Sequence, residues 1–135
     1  MKQPNSTLVM SGKDHKTLHN HLFPGDGLEA AAILLCSRVQ GNRLRLMVKS
    51  VHCVPHCECD RRADWVTWPG QHIEDCLTEA EADDLSLILV HSHPLGSSNF
   101  SETDDQSDLE LLDSLFLART QGRPGVMLHC SAIML

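Results

Sequence analysis

The reading of this chain turns on one stretch, Leu85-Ser-Leu-Ile-Leu-Val90-His91-Ser-His93-Pro94-Leu-Gly96-Ser-Ser-Asn-Phe-Ser101-Glu-Thr-Asp104. Leu85 to Val90 is a short apolar run of the length of a buried strand. His91 and His93 follow at its end, two residues apart, so in extended backbone both imidazoles point to one face and can reach one ion. Pro94 ends the strand because it has no N–H to add to the ladder. The small residues from Gly96 let the chain fold back, and Ser101 and Asp104 then stand three apart on one face at the start of a helix. Two neutral imidazoles and one carboxylate suit Zn²⁺ and leave a fourth position open, as in catalytic rather than structural zinc sites. Ser101-Glu-Thr-Asp104 also fits a helix N-cap with an acidic third position. The two readings are compatible. A single exposed histidine is usually just solvated; here four chemistry-bearing residues coincide at set spacing on a strand, a loop and a helix.

Working outward, the residues after Asp104 continue the helix from about Glu102 to Arg119, with Leu109, Leu112, Leu115 and Phe116 as its apolar stripe. Gly122 to Gly125 reads as a turn and Val126 to Leu135 as a last strand. Upstream, His72 to Asp84 carries Ile73, Leu77 and Ala80 at helical spacing. Pro55 to Gly70 has no periodicity and reads as a surface loop holding Trp65 and Trp68. Leu44 to Val51 alternates like a half-buried strand, and Gln40-Gly41-Asn42 before it reads as a hairpin turn. Gly27 to Cys36 is an apolar run of strand length punctuated by Gly25-Asp26-Gly27, although its alanines also favour helix. Lys13 to Leu22 suits a short helix stopped by Pro24 and Gly25, and Ser6 to Met10 a short strand. Mixed helices and strands with several strands in succession predict an α/β fold with a mixed or antiparallel sheet flanked by helices.

The chain has 135 residues, 41% hydrophobic and 21% charged, which suits one compact domain with a real core. The net charge of −7 argues against nucleic acid as the main partner, because phosphate binding needs a basic face. No run approaches the ~18 apolar residues of a membrane helix. The first residues lack the apolar core of a signal peptide, so the expected location is cytoplasmic and the six cysteines are expected to be reduced.

His91-x-His93, seven residues, Ser101, two residues, Asp104 resembles the signature of JAMM metalloproteases, also called JAB or MPN-plus proteins. The resemblance spans about residues 24–135, with 1–23 as an N-terminal strand and helix of the same domain. It implies the single-domain JAB/MPN fold, a mixed, largely antiparallel curved sheet flanked by helices, similar to cytidine deaminases. It implies one Zn²⁺ per chain on His91, His93 and Asp104. The family's upstream glutamate, in a pattern like Glu-x-x-Gly-x-Leu-x-Gly, corresponds to Glu29 in Glu29-Ala-Ala-Ala32-Ile-Leu34-Leu-Cys36. Ala32 and Cys36 stand where glycines are usual, and the chain stops at Leu135 where the family domain commonly runs further. By this resemblance Glu29 is the general base and Ser101 the donor to the oxyanion, with catalysis through zinc-activated water. The surroundings of the motif look most like bacterial JAB proteins found beside enzymes of ubiquitin-like conjugation. The implied substrates are a ubiquitin-like protein or its conjugates, the implied partners E1-like and E2-like enzymes, with no nucleic acid and no membrane.

Other readings compete. A non-catalytic MPN scaffold usually lacks the metal ligands, which are present here. A JAMM peptidase processing a sulfur-carrier protein is a second alternative. The related domain of DNA repair usually has Pro-Ser where this chain has Phe100-Ser101. A second cluster, His52-Cys53-Val-Pro-His56-Cys57-Glu-Cys59, has thiols two apart rather than in Cys-x-x-Cys and no evident second half, so free loop thiols are expected. His15, His19 and His21 sit in a polar N-terminal stretch and are read as solvated; the pair His19 and His21 repeats the motif spacing but lacks the Ser and Asp that complete it. Trp65 and Trp68 suit either a partner-binding patch or a lid over the core.

Overall fold

The computed structural model describes residues 6–39, 44–94 and 130–134. Helix α1 spans Gly12–Leu22 and helix α2 Gln71–Asp83. The strands are β1 (Ser6–Val9), β2 (Ala31–Val39), β3 (Leu44–Cys53), β4 (Asp60–Arg61), β5 (Val66–Thr67), β6 (Ser86–Ser92) and β7 (Cys130–Met134). Among the described residues, five strands make one sheet in the order β1-β3-β2-β6-β7. The inner pairs β2–β3 and β2–β6 are antiparallel, and the outer pairs β1–β3 and β6–β7 are parallel. The sheet is therefore mixed, with its antiparallel part confined to the centre.

Strands β2 and β6 are buried on both faces, which is why they read as unbroken apolar runs instead of alternating ones. Ala32, Leu34 and Cys36 of β2 join Ile88 and Val90 of β6 on one face, against Leu18 and Leu22 of α1. Ile33 and Leu35 join Leu87 and Leu89 on the other, against Ile73, Cys76 and Ala80 of α2. Two helices sandwich the central strands, and each buried leucine contributes roughly 1.5–3 kcal/mol. The helix predicted over Lys13–Leu22 begins one residue earlier, where the Ser11 hydroxyl accepts from the Asp14 N–H (3.1 Å). At the end of α2, Asp84 adopts φ 54° in the left-handed region, and the Leu85 N–H reaches back to the Ala80 carbonyl.

Two expectations are corrected. The early strand begins at Ala31 rather than Gly27. Gly25 (φ 93°) and Gly27 (φ 72°) turn the chain, and the Asp26 carboxylate accepts from the Leu28 N–H (3.1 Å). Leu28 to Ala30 are thus held by groups outside the regular ladder. Residues 55–70 are also more ordered than a plain surface loop: a single 3₁₀ turn at His56–Glu58 precedes the β4–β5 hairpin. Trp68 packs against the α2-side core, as a lid does. Trp65 is half-buried and carries the Arg62 guanidinium 4.9 Å above its ring. The Gln40–Asn42 turn, the helix from Glu102 to Arg119 and the turn at Gly122–Gly125 lie outside the described residues.

Candidate metal centre

Strand β6 delivers the histidines. Leu87 and Leu89 face α2, and the period of two carries that row on to His91 and His93. His91 is half-buried and His93 only 7% exposed. The parallel partner β7 extends the support past the strand end: the His93 N–H donates to the Met134 carbonyl (3.0 Å). The two rings tilt by 50° with centroids 4.8 Å apart, and their Nε2 atoms stand 2.9 Å from each other.

Glu29 reaches the same place from the segment just ahead of β2. Ala31 pairs with His91, so the two residues before Ala31 run alongside Ser92 and His93. Ser92 secures this approach: its N–H donates to the Ala30 carbonyl (3.1 Å), and its buried Oγ accepts from the Ala30 N–H (3.0 Å). On the far side of Glu29, its own N–H donates to the Arg62 carbonyl (2.7 Å). Glu29 is 2% exposed, so it is not a strand-end carboxylate facing water. One ligand atom each from Glu29, His91 and His93 lie within 4.8 Å of one another. Two imidazole nitrogens on one tetrahedral Zn²⁺ are about 3.3 Å apart. The observed pair is within a few tenths of an ångström of that spacing, and the donor set fits a divalent metal. Ser101 and Asp104 lie outside the described residues.

Residues 13–133 match the model of a family described as prokaryotic homologs of the JAB domain. The chain belongs to that family. The α/β sandwich with its mixed sheet is accordingly a single JAB/MPN domain, and the Glu29–His91–His93 group lies where β6 ends and the chain enters β2. The match begins at Lys13, so α1 is part of what this JAB domain shares with the family. No curated protein matches the chain.

The second histidine–cysteine cluster does something else in this JAB domain. Glu58 Oε1 and His72 Nε2 are 3.0 Å apart, and His72 Nδ1 is 2.9 Å from His52 Nε2. With the Nε2 proton directed to the carboxylate, His72 Nδ1 accepts from His52, and the chain of bonds closes without an ion. His56 Nε2 donates to the His21 carbonyl (2.9 Å), and the Cys59 thiol donates to the Pro55 carbonyl (3.3 Å). Among the described residues, Glu29, His91 and His93 form the group suited to a metal. Burial pushes the Cys53 and Cys59 thiols up, and Cys76 up to about 11, away from reactive thiolates.

His21 is not solvated. It is half-buried, its Nε2 donates to the Ala31 carbonyl (3.0 Å), and its ring stacks on His56 at 4.4 Å. Desolvation lowers its pKa, which keeps the neutral, donating form. His21 thus ties α1 to the first residue of β2, the partner of His91. A histidine in the last turn of a polar-looking helix gives no signal of this kind. Nor did any spacing mark Arg61, which proves to grip the segment carrying Glu29.

Proposed function

We propose that this JAB domain is a zinc-dependent peptidase that cleaves the amide or isopeptide bond after the C-terminal tail of a ubiquitin-like protein. The observation that carries the reading is the convergence of the buried Glu29 carboxylate, from the segment ahead of β2, on His91 and His93. A buried carboxylate beside two imidazoles is costly to retain for packing alone, because burying charge needs a compensating partner. A scaffold does not need this arrangement; metal-assisted hydrolysis does.

In this reading His91, His93 and Asp104 hold the ion. Zn²⁺, when bound, supplies a Lewis acid that polarises the scissile carbonyl and acidifies water. Glu29 takes a proton from the attacking water and delivers it to the leaving amine, a poor leaving group unless protonated. Ser101 donates a hydrogen bond to the oxyanion. The substrate tail lies extended, added as a strand to a sheet edge near the site. E1-like and E2-like enzymes of the same conjugation system are the natural partners. The acidic net charge of −7 favours a basic or lysine-bearing target over nucleic acid. The location is cytoplasmic in this reading, where thiols such as Cys53, Cys57, Cys59 and Cys76 stay reduced. No helix among the described residues is long and apolar enough to cross a membrane.

The test is cleavage of a ubiquitin-like protein fused through its tail to a reporter, with products located by mass spectrometry. The zinc-loaded protein is expected to cut at the tail junction. Glu29→Gln is expected to keep its zinc and lose ~10²–10⁴-fold in rate. Intact fusion with zinc in place would favour another peptide substrate or the scaffold reading.

A further inference from the structure

We propose that Arg61, braced by Asp26, is a positioning residue that aims the Glu29 carboxylate at the metal centre. The proposal rests on the reading of Glu29 as the base. Glu29 precedes β2, so regular strand bonds do not orient it. It follows a loop with two glycines at positive φ, Gly25 and Gly27, a backbone with little stiffness of its own. The β4–β5 hairpin supplies what the ladder does not.

Arg61 uses all three guanidinium nitrogens on this one loop. Its Nε donates to the Glu29 carbonyl (2.8 Å) and its Nη2 to the Leu28 carbonyl (3.2 Å). Nη1 and Nη2 grip the two oxygens of Asp26 at 2.8 and 3.1 Å. The Arg61 side chain is 9% exposed, so these bonds are poorly accessible to competing water. The next hairpin residue completes the hold, because the Arg62 carbonyl accepts from the Glu29 N–H at 2.7 Å. The peptide groups on both sides of the Glu29 Cα are therefore fixed from one hairpin, and Ala30 is fixed from Ser92.

The geometry needs arginine. Only a planar fork can meet a carboxylate edge-on and two carbonyls at the same time; a lysine ammonium can hold one or two of these groups from a point. Asp26 is the exposed end of the clamp, and the guanidinium holds its carboxyl below the usual carboxylate range. A slack loop would leave the carboxylate close to the metal but badly aimed, and a displacement of about 1 Å can cost ~10²-fold in rate.

The experiment uses the full chain and the tail-fusion probe. Arg61→Lys is expected to keep its zinc, to lose about 10-fold or more in kcat and to change KM by less than about 3-fold. Asp26→Asn, a change at the exposed end, is expected to give a smaller loss, about 3-fold. In zinc-free protein the Glu29 amide of Arg61→Lys is expected to exchange with solvent ~10-fold faster, while the amides of Ile33 to Leu35 keep the parental rate. Parental kcat in Arg61→Lys, alongside an inactive Glu29→Gln, overturns the clamp and leaves the base reading standing. Parental turnover in Glu29→Gln overturns the base reading and the clamp together. If Arg61→Lys exchanges fast throughout, the fold has loosened and Asp26→Asn decides: parental kcat and parental Glu29 exchange in that variant overturn the proposal.

Discussion

Replacing Ser92 with alanine removes one oxygen from the middle of the His91-x-His93 motif. That oxygen is fully buried and accepts from the Ala30 N–H at 3.0 Å, joining residues 62 apart in the sequence. The backbone half of the bridge, Ser92 N–H to the Ala30 carbonyl, survives the substitution. What changes is that a buried backbone N–H loses its acceptor and cannot turn to solvent. The cost is that of a desolvated, unmade hydrogen bond, about 1–3 kcal/mol. The atom removed is small, so the void adds little. A loss of about 2 kcal/mol lowers Tm by roughly 6–10 °C in a domain of this size. Urea unfolding of parent and Ser92→Ala should show the midpoint falling with the slope unchanged, since the folded surface is the same. Thr78→Ala is the control. The Thr78 hydroxyl bonds the Glu74 carbonyl at an exposed helix position, and its loss should change stability by less than about 0.5 kcal/mol. Ser92→Ala within about 0.5 kcal/mol of the parent would mean that the Ala30 N–H is satisfied in some other way, and that the hydroxyl does not join the two strands.

Metal analysis of the purified protein should find about one zinc per chain, lost in His91→Ala and in Asp104→Ala; full occupancy in both variants would refute the ligand set. Changing Cys57 and Cys59 together to serine should leave the zinc content as it is, because His52, His72 and Glu58 are engaged with one another and the Cys59 thiol with a carbonyl; a drop of about one zinc per chain would expose a second site. His21 should make stability depend on pH. Its folded-state pKa is depressed by burial, so below about 6.5 the unfolded chain takes up the proton more readily. Its contribution is complete above that value and is lost as the pH falls toward and through the folded pKa. The stability gap between the parent and His21→Gln should therefore shrink from pH 7.5 to 5.5 in urea unfolding, and a constant gap would refute the assignment.

Much of this JAB domain could be read along the chain because it is written in short-range patterns. The i, i+2 histidines at the end of an apolar strand announce a shared face, and the runs Ala31 to Cys36 and Leu87 to Val90 announce burial. Ile73, Leu77 and Ala80 at helical spacing announce α2, whose buried side is made by Ile73, Cys76 and Ala80 with Leu77 partly buried beside them. Periodicity and donor chemistry are local, so the sequence alone determined the α/β class, the main elements and the pair of histidines at the candidate metal centre. The spacing also singled out Ser101 and Asp104, which lie outside the described residues, and the resemblance added Glu29 and the role of Ser101. The tertiary structure decided the rest. It set Glu29 ahead of its strand instead of on it, buried it beside His91 and His93, and recruited Ser92, Arg61 and His21 to hold that approach. It also joined Glu58 and His72 to His52 in a bonded chain beside the loop thiols. These outcomes depend on which distant groups face each other once the sheet order β1-β3-β2-β6-β7 is formed. A buried N–H or carbonyl must find a partner wherever the fold brings one within about 3 Å, and no spacing along the chain encodes which partner that is.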